Sequence, residues 1–292
     1  MTETSSSAST PPSWPVQPGY REDLFRGTAE YYSQYRPVYP EPLFEDLLAR
    51  TGAQGGSLLI DLACGTGEIA IPLHDRFAHV QAVDLEPDMV EVGRRKAIES
   101  GANNIDWSVG RAEELVVTAP AQLVTIGNAF HRLDRAIIAE RAGQWLDPGC
   151  CLAIVGSSTP WSGTESWQAT AVEVVARWSG EAGRRASASP ATADSSAPTR
   201  RTHEEILREA GFLDVTEYRF PTPHARTLDE FVGFLWSTSY TAPIRQNPAV
   251  AEEFEKDLRA QLLECEPSGQ LRESIAHYYI LGRRPDAAGR SQ

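Results

Sequence analysis

The chain has 292 residues, 41% of them hydrophobic, enough for one α/β domain with a substantial core or for two small domains. Its formal net charge of −13 argues against a nucleic-acid partner, which calls for a basic stripe; the longest basic clusters are pairs such as Arg184-Arg185 and Arg200-Arg201. No apolar run is long enough to span a bilayer, and Cys64, Cys150, Cys151 and Cys265 show no zinc spacing, so the sequence reads as a soluble, reduced, cytoplasmic protein without a membrane partner.

Residues 1–19 are rich in Ser, Thr and Pro, which predicts a disordered tail, and they lack the basic start and apolar core of a secretory signal. From Tyr20 apolar and aromatic residues recur at helical spacing around a Pro-punctuated turn, and a helix is expected over 42–50. An alternating rhythm follows. "SLLIDLA" reads as a buried parallel strand, "GEIAIPLHDRF" as a helix, "HVQAVDL" as a strand and "EPDMVEVGRRKAIESGA" as a helix. "IDWSVGRAEEL" reads as a short strand with a loop, "AQLVTIGNAF" as a strand, "LDRAIIAERAGQWLDPG" as a helix closed by Pro-Gly, and "CCLAIVGSS" as a strand. Strands alternating with helices at this spacing predict a parallel sheet with helices on both faces.

Beyond that the pattern loosens. "ESWQATAVEVVARWSG" is expected to be helical, and the low-complexity residues 181–198 to form a mobile loop. In "THEEILREAGF", Thr202 and Glu205 have capping-box spacing and Gly211 is a stop. "DVTEYRF" and "HYYILGRR" read as two late strands, and 221–270 as an insertion between them with two amphipathic helices. The expected organisation is a tail over 1–19, one domain over 20–285 containing that insertion, and a tail over 286–292.

The chemistry concentrates in "DLACGTGEIA", residues 61–70. Gly65-x-Gly67-x-x-Ala70 fits the fingerprint with which a strand–helix turn approaches a dinucleotide. Asp61, four residues before Gly65, argues against a pyrophosphate, which a carboxylate would repel. A ligand with an amine and a sulfonium, such as S-adenosylmethionine, would be attracted to it. Asp84 ends the next strand, seventeen positions after Gly67, the slot for an acid that bonds ribose hydroxyls.

"DLACGTGEIA", "AVDLEPDMV", "VGRAEEL" and "IGNAFHRLD", in this order and with "YRPVYP" at 35–40, resemble the motif series of class I S-adenosylmethionine-dependent methyltransferases, in their small-molecule branch. The resemblance covers roughly residues 20–285. It implies a Rossmann-like seven-stranded sheet with an antiparallel last strand, helices on both faces, and a helical insertion capping the substrate. It places Asp61, Ala63, Gly65 and Gly67 at the methionine end of the cofactor, Arg36 at its carboxylate and Asp84 at the ribose. Leu85 and Met89 flank the adenine, Ala112 and Glu113 sit at its edge, and Asn128 and Ala129 form the floor under the methyl group. Many relatives carry an aromatic ring after the histidine of the last motif; this chain has Arg132 there.

His131 is the candidate catalytic base, since imidazole titrates near neutrality; it also fits as a structural histidine holding its loop. Asp61 fits equally as a turn or helix-cap aspartate, and Glu113 as an acid favoured at a helix start. Tyr32, Trp161, His224, Trp236 and Tyr240 are candidate substrate contacts that also fit as packing residues. No metal is expected, and the assembly is read as a monomer or homodimer acting on a small-molecule acceptor. Two other readings stay open: an NAD(P)-dependent oxidoreductase using the same glycine turn, and an S-adenosylmethionine-binding protein that transfers no methyl group.

Overall fold

A computed structural model describes residues 24–53, 56–186 and 201–286 of the chain. The expected N-terminal tail, most of the expected mobile loop (187–198) and residues 287–292 lie outside the described residues. The first half is built from α1 (Ala29–Tyr35), α2 (Glu41–Thr51), β1 (Leu58–Leu62), α3 (Ala70–Leu73), β2 (His79–Asp84), α4 (Pro87–Ser100), β3 (Ile105–Val109), β4 (Ala121–Gly127), α5 (Arg135–Trp145) and β5 (Leu146–Ser157). The second half follows with α6 (Ser166–Ala186), α7 (His203–Glu209), β6 (Leu213–Thr227), α8 (Leu228–Trp236), α9 (Ala242–Arg245), α10 (Pro248–Cys265) and β7 (Gln270–Arg283).

The strands form one seven-stranded sheet in the order β3-β2-β1-β4-β5-β7-β6. β3, β2, β1, β4 and β5 run parallel; β7 is antiparallel to β5, and β6 to β7. β1 is buried at every position, as a strand covered on both faces must be. Ile60, Val124 and Leu152 pack with Ile138 and Ala142 of α5 on one face. Leu59, Leu123 and Ala153 pack with Leu43 and Leu47 of α2 on the other. Strand order reverses between β1 and β4, so the carboxyl ends of these two strands open a crevice where doubly wound sheets bind ligands.

A third cluster lies outside these layers. Trp167 and Val174 of α6, Phe231 and Leu235 of α8, and Phe254 and Leu258 of α10 bury their side chains together. Thr227 and Glu230 form a capping box that starts α8 where β6 ends. The expected capping box of Thr202 and Glu205 is present at α7.

Several boundaries differ from the sequence expectation. The helix expected over 67–77 shrinks to α3, because the chain tightens into a 3-10 turn at His74–Arg76 to reach β2 at His79. The residues 221–227, expected in the insertion, continue β6 in unbroken register with β7. Pro221 and Pro223 are tolerated there because β6 is the edge strand, where a missing N–H facing outward costs no ladder bond. The Pro-Gly expected to close α5 belongs to β5, where Leu146 pairs with Ala121 before a register shift. α6 runs to Ala186 and takes in the first residues of the expected loop.

Gly67 is fixed by packing as well as by its φ of +89°. A Cβ there would meet Trp107 Cη2 at 2.7 Å and Ile71 Cδ1 at 2.8 Å, and the same indole lies against Gly93 of α4. Gly67→Ala is therefore expected to lower stability by about 1–3 kcal/mol, the usual cost of overpacking. Urea unfolding of the variant checks this; an unchanged midpoint would show that Trp107 yields freely.

Candidate active site

Two non-glycine residues in the left-handed region mark the crevice: Ala63 (φ 50°), just after β1, and Asn128 (φ 49°), just after β4. Such conformations persist only where the surroundings impose them, and they concentrate at functional sites. Asn128 is held on all sides. Its backbone N–H donates to Val155 O at 2.9 Å, its Oδ1 accepts from Ser157 N at 3.1 Å, and its Nδ2 donates to Tyr39 Oη at 2.9 Å.

Three cavities meet at this point, and Tyr32 and Asn128 line all of them. The first, about 770 Å³, lies over the ends of β1 and β2 and is lined by Gly65, Asp84, Leu85, Met89 and Ala129 among others. The second, about 630 Å³, lies over β1 and β4 and is lined by Arg36, Asp61, Ala63 and Glu68. The third is a wide cleft of about 1630 Å³ beside β4 and β5, lined by His131, Arg132, Trp161 and Tyr240.

Asp84 Oδ2 accepts from Gly65 N at 2.8 Å and Oδ1 from Glu86 N at 2.9 Å, which locks the glycine turn to the end of β2. Burial raises its pKa and the backbone N–H groups pull it back. Among the described residues no cation pairs with it. A half-buried carboxylate that faces a cavity and is held by backbone N–H groups alone retains lone pairs for a ligand's hydroxyls.

Asp61 Oδ1 accepts from Thr125 Oγ1 at 2.8 Å and Oδ2 from Ala70 N at 3.1 Å. Burial, the dominant cause, raises its pKa to about 7, against the pull of those two hydrogen bonds. It caps the first residue of α3, as the helix-cap reading expects, and it also lines the second cavity. A carboxylate already occupies the helix N-terminus that would cradle a pyrophosphate, which disfavours a dinucleotide in this turn. Arg36 donates from Nε to Ser237 Oγ at 2.9 Å and from Nη2 to Ser237 O at 3.0 Å, with Tyr32 and Phe234 against its guanidinium. Burial pushes the Tyr32 hydroxyl to about 12, so its ring stays neutral.

Other expected contacts lie elsewhere. Gly67 faces Trp107. Ala112 is in the core beside Phe130 and Ile126. Glu113 accepts from Asp134 N at 3.1 Å. Trp236 packs edge-on against Phe254 inside the helical cluster, and His224 sits on β6 opposite Glu273; neither lines the three cavities. An amphipathic helix does not reveal which of its aromatic rings faces a cleft and which faces a neighbouring helix. Sequence reasoning missed Glu68, whose Oε1 accepts from Lys96 Nζ at 3.0 Å, although it stands inside the glycine motif. It also missed Arg226 and Glu273, a buried pair in the wall of the second cavity, for which no local signal exists.

The methyltransferase-domain family model matches residues 59–149, the segment that supplies Asp61, Gly65, Asp84, Asn128 and His131. Residues 59–149 match a methyltransferase domain. The cofactor that this match implies is S-adenosylmethionine, and the residues present fit it: Asp84 could take ribose hydroxyls, Asp61 an ammonium and Arg36 a carboxylate. The chain is 28% identical over 145 residues to a ubiquinone biosynthesis O-methyltransferase of Xylella fastidiosa, covering 46% of this chain and 58% of the relative. It is 31% identical over 119 residues to a trans-aconitate 2-methyltransferase of a Mycobacterium species, covering 40% and 46%. The chain thus spans about half the length of these relatives. A solved structure presented as a type II methyltransferase from Anaeromyxobacter dehalogenans shares the fold, with a TM-score of 0.58 at 20% identity over 86% of this chain and 99% of that one. No helix of the described residues is long and apolar enough to cross a membrane.

Asp61 gives the methyltransferase domain a pH dependence. The folded carboxyl keeps its proton to about pH 7, whereas an ordinary one loses it near 3.8. Asp61 therefore favours the folded state at low pH, and that contribution is lost as pH rises through about 7. An ammonium held against Asp61 would favour the ionised form instead. S-adenosylhomocysteine is expected to bind several-fold more tightly at about pH 8 than at about pH 6, and Asp61→Asn to flatten the profile. Titration calorimetry across this range checks it; an equal slope in wild type and Asp61→Asn would remove Asp61 from the ammonium.

Proposed function

We propose that this protein transfers a methyl group from S-adenosylmethionine to a nitrogen or oxygen of a small-molecule acceptor, a secondary metabolite. The meeting of three cavities at Tyr32 and Asn128 carries this reading. It gives the nucleoside, the amino-acid end and an acceptor separate spaces with one shared junction. The names of the two relatives, one acting in ubiquinone biosynthesis and one on trans-aconitate, support a small acceptor. The Ala- and Arg-rich composition suits a natural-product pathway, and free thiols at Cys64, Cys150, Cys151 and Cys265 suit a reducing, cytoplasmic setting.

Bound S-adenosylmethionine supplies an electrophilic methyl group on a positively charged sulfur. The chain's own task is to hold, align and dry the reactants. Asp84 accepts from the ribose, with Leu85 and Met89 beside the adenine. Asp61 and Arg36 hold the ammonium and carboxylate of the methionine end. Tyr32 lays a neutral ring beside the sulfonium, which a π face attracts. Asn128 and Ala129 form the floor at which nucleophile and methyl meet. His131 stands in the acceptor cleft, where its imidazole takes the proton from an attacking hydroxyl; an amine entering neutral or a carboxylate needs no base. In this reading the insertion 221–270 caps the cleft, with Phe234 of α8 and Thr238, Ser239 and Tyr240 after it in the wall.

Incubation with S-adenosylmethionine and fractionated metabolite extracts, read by mass spectrometry, tests the proposal. A product heavier by one methylene, formed together with S-adenosylhomocysteine, is expected. Tight S-adenosylhomocysteine binding with no methylated product from any fraction would favour a cofactor-binding protein without transfer.

A further inference from the structure

Arg132 is a cation in the wrong company for a structural residue. It lines both the acceptor cleft and the nucleoside cavity, at the position where the family resemblance leads one to expect an aromatic ring. Its Nη2 donates to Ser239 Oγ at 2.9 Å, and its guanidinium lies 4.7 Å from the centre of the Phe25 ring. Both partners are neutral. Among the described residues no carboxylate pairs with it, and the positive charge of Arg36 repels it. Arg36 is likewise held only by Ser237 and by aromatic faces.

In a chain with a net charge of −13, two half-buried arginines with no acid partner among the described residues are a costly arrangement. A ligand anion would offset it. Arg36 has such an anion in the cofactor's carboxylate; Arg132 has none. Phe130, Ile154, Trp161, Tyr240 and Tyr278 give the cleft an apolar wall. Of its other cations, Arg201 pairs with Glu209 and Arg135 donates to Arg201 O. Its acids, Glu204 and Glu217, come from α7 and β6, and Glu217 is engaged by Arg219.

We infer that Arg132 is the acceptor-selecting residue of the cleft and that the acceptor is an acid, a carboxylate attached to an apolar body that packs on the aromatic wall. Guanidinium is suited to this task because its fixed fork offers two parallel N–H donors to one carboxylate. Ser239 and Phe25 keep the fork aimed before the acceptor arrives, which limits the entropy lost on binding. Arg132 recognises the acid group, and the inference leaves open which atom of the acceptor takes the methyl. It rests on the methyltransferase reading of the neighbouring cavities.

The test uses the full chain loaded with S-adenosylhomocysteine and titrated with trans-cinnamate or its neutral isostere cinnamamide. The acid is expected to bind at least about tenfold more tightly than the amide, the ratio for a hydrogen bond to a charged group. Arg132→Gln should bring the two within about twofold, and Arg132→Lys should restore part of the preference, since a point charge keeps attraction and loses the fork. Equal binding of acid and amide by the wild type, or binding of neither, overturns the inference. So does an Arg132→Gln variant that keeps the preference while losing S-adenosylhomocysteine affinity, which would assign Arg132 to the nucleoside. Tighter binding of phenyl phosphate than of cinnamate overturns the carboxylate assignment. If the wild type fails to bind S-adenosylhomocysteine, the methyltransferase reading falls; the acid-to-amide ratio on the bare chain still judges Arg132.

Discussion

Asp84→Ala is expected to weaken S-adenosylhomocysteine binding by about 10- to 150-fold, equivalent to roughly 1.5–3 kcal/mol for a charged hydrogen-bond partner. Two losses contribute. In the proposed binding mode the ribose hydroxyls lose their carboxylate, and Gly65 N–H loses its acceptor, so the turn at +56° is held less firmly. Asp84→Asn separates them. An amide oxygen still accepts from one backbone N–H, so the turn is largely kept while the charge is lost. The expected order of affinity is wild type, then Asn, then Ala. Calorimetry giving the alanine variant wild-type affinity would take Asp84 out of the ribose site.

Glu273→Ala is expected to cost more, about 3–5 kcal/mol of stability, because it strands a buried cation. Arg226 and Glu273 are only 3% and 4% exposed and form an ion pair across β6 and β7. Gln168 Nε2 donates to the same carboxylate at 3.0 Å, and the Arg226 guanidinium lies 4.8 Å from the centre of the Phe234 ring. Burial already lowers the Arg226 pKa, and Glu273 is the chief influence raising it. Removing the acid leaves that charge among aromatic rings. The double variant Arg226→Met/Glu273→Leu should regain most of the loss, since buried ion pairs are often no better than apolar residues of similar volume. Urea unfolding of the single and double variants decides. A single variant within about 1 kcal/mol of wild type would show that water reaches Arg226.

The local sequence determined the alternation of strand and helix, because burial on both faces of a parallel sheet demands short apolar runs, and these can be read one at a time. It determined the glycine turn, since Gly65 at a φ of +56° needs a residue without a Cβ penalty, and it located Asp61 and Asp84 at the strand ends that flank the crevice. It also determined the capping boxes at Thr202 and Thr227, whose chemistry spans only three residues. Tertiary structure decided the rest. β6 runs through Pro221 and Pro223 because it lies at the sheet edge, and edge position is a property of the whole strand order. Trp236 went into the helical cluster and Trp161 into the cleft, although both are aromatic residues in similar surroundings in the chain. Arg226 and Glu273 meet across 47 residues, and Arg132 meets Ser239 across 107. Periodicity reports which face of an element is apolar, but the partner that covers that face, and the charge it leaves unpaired, depend on contacts between segments far apart in the chain.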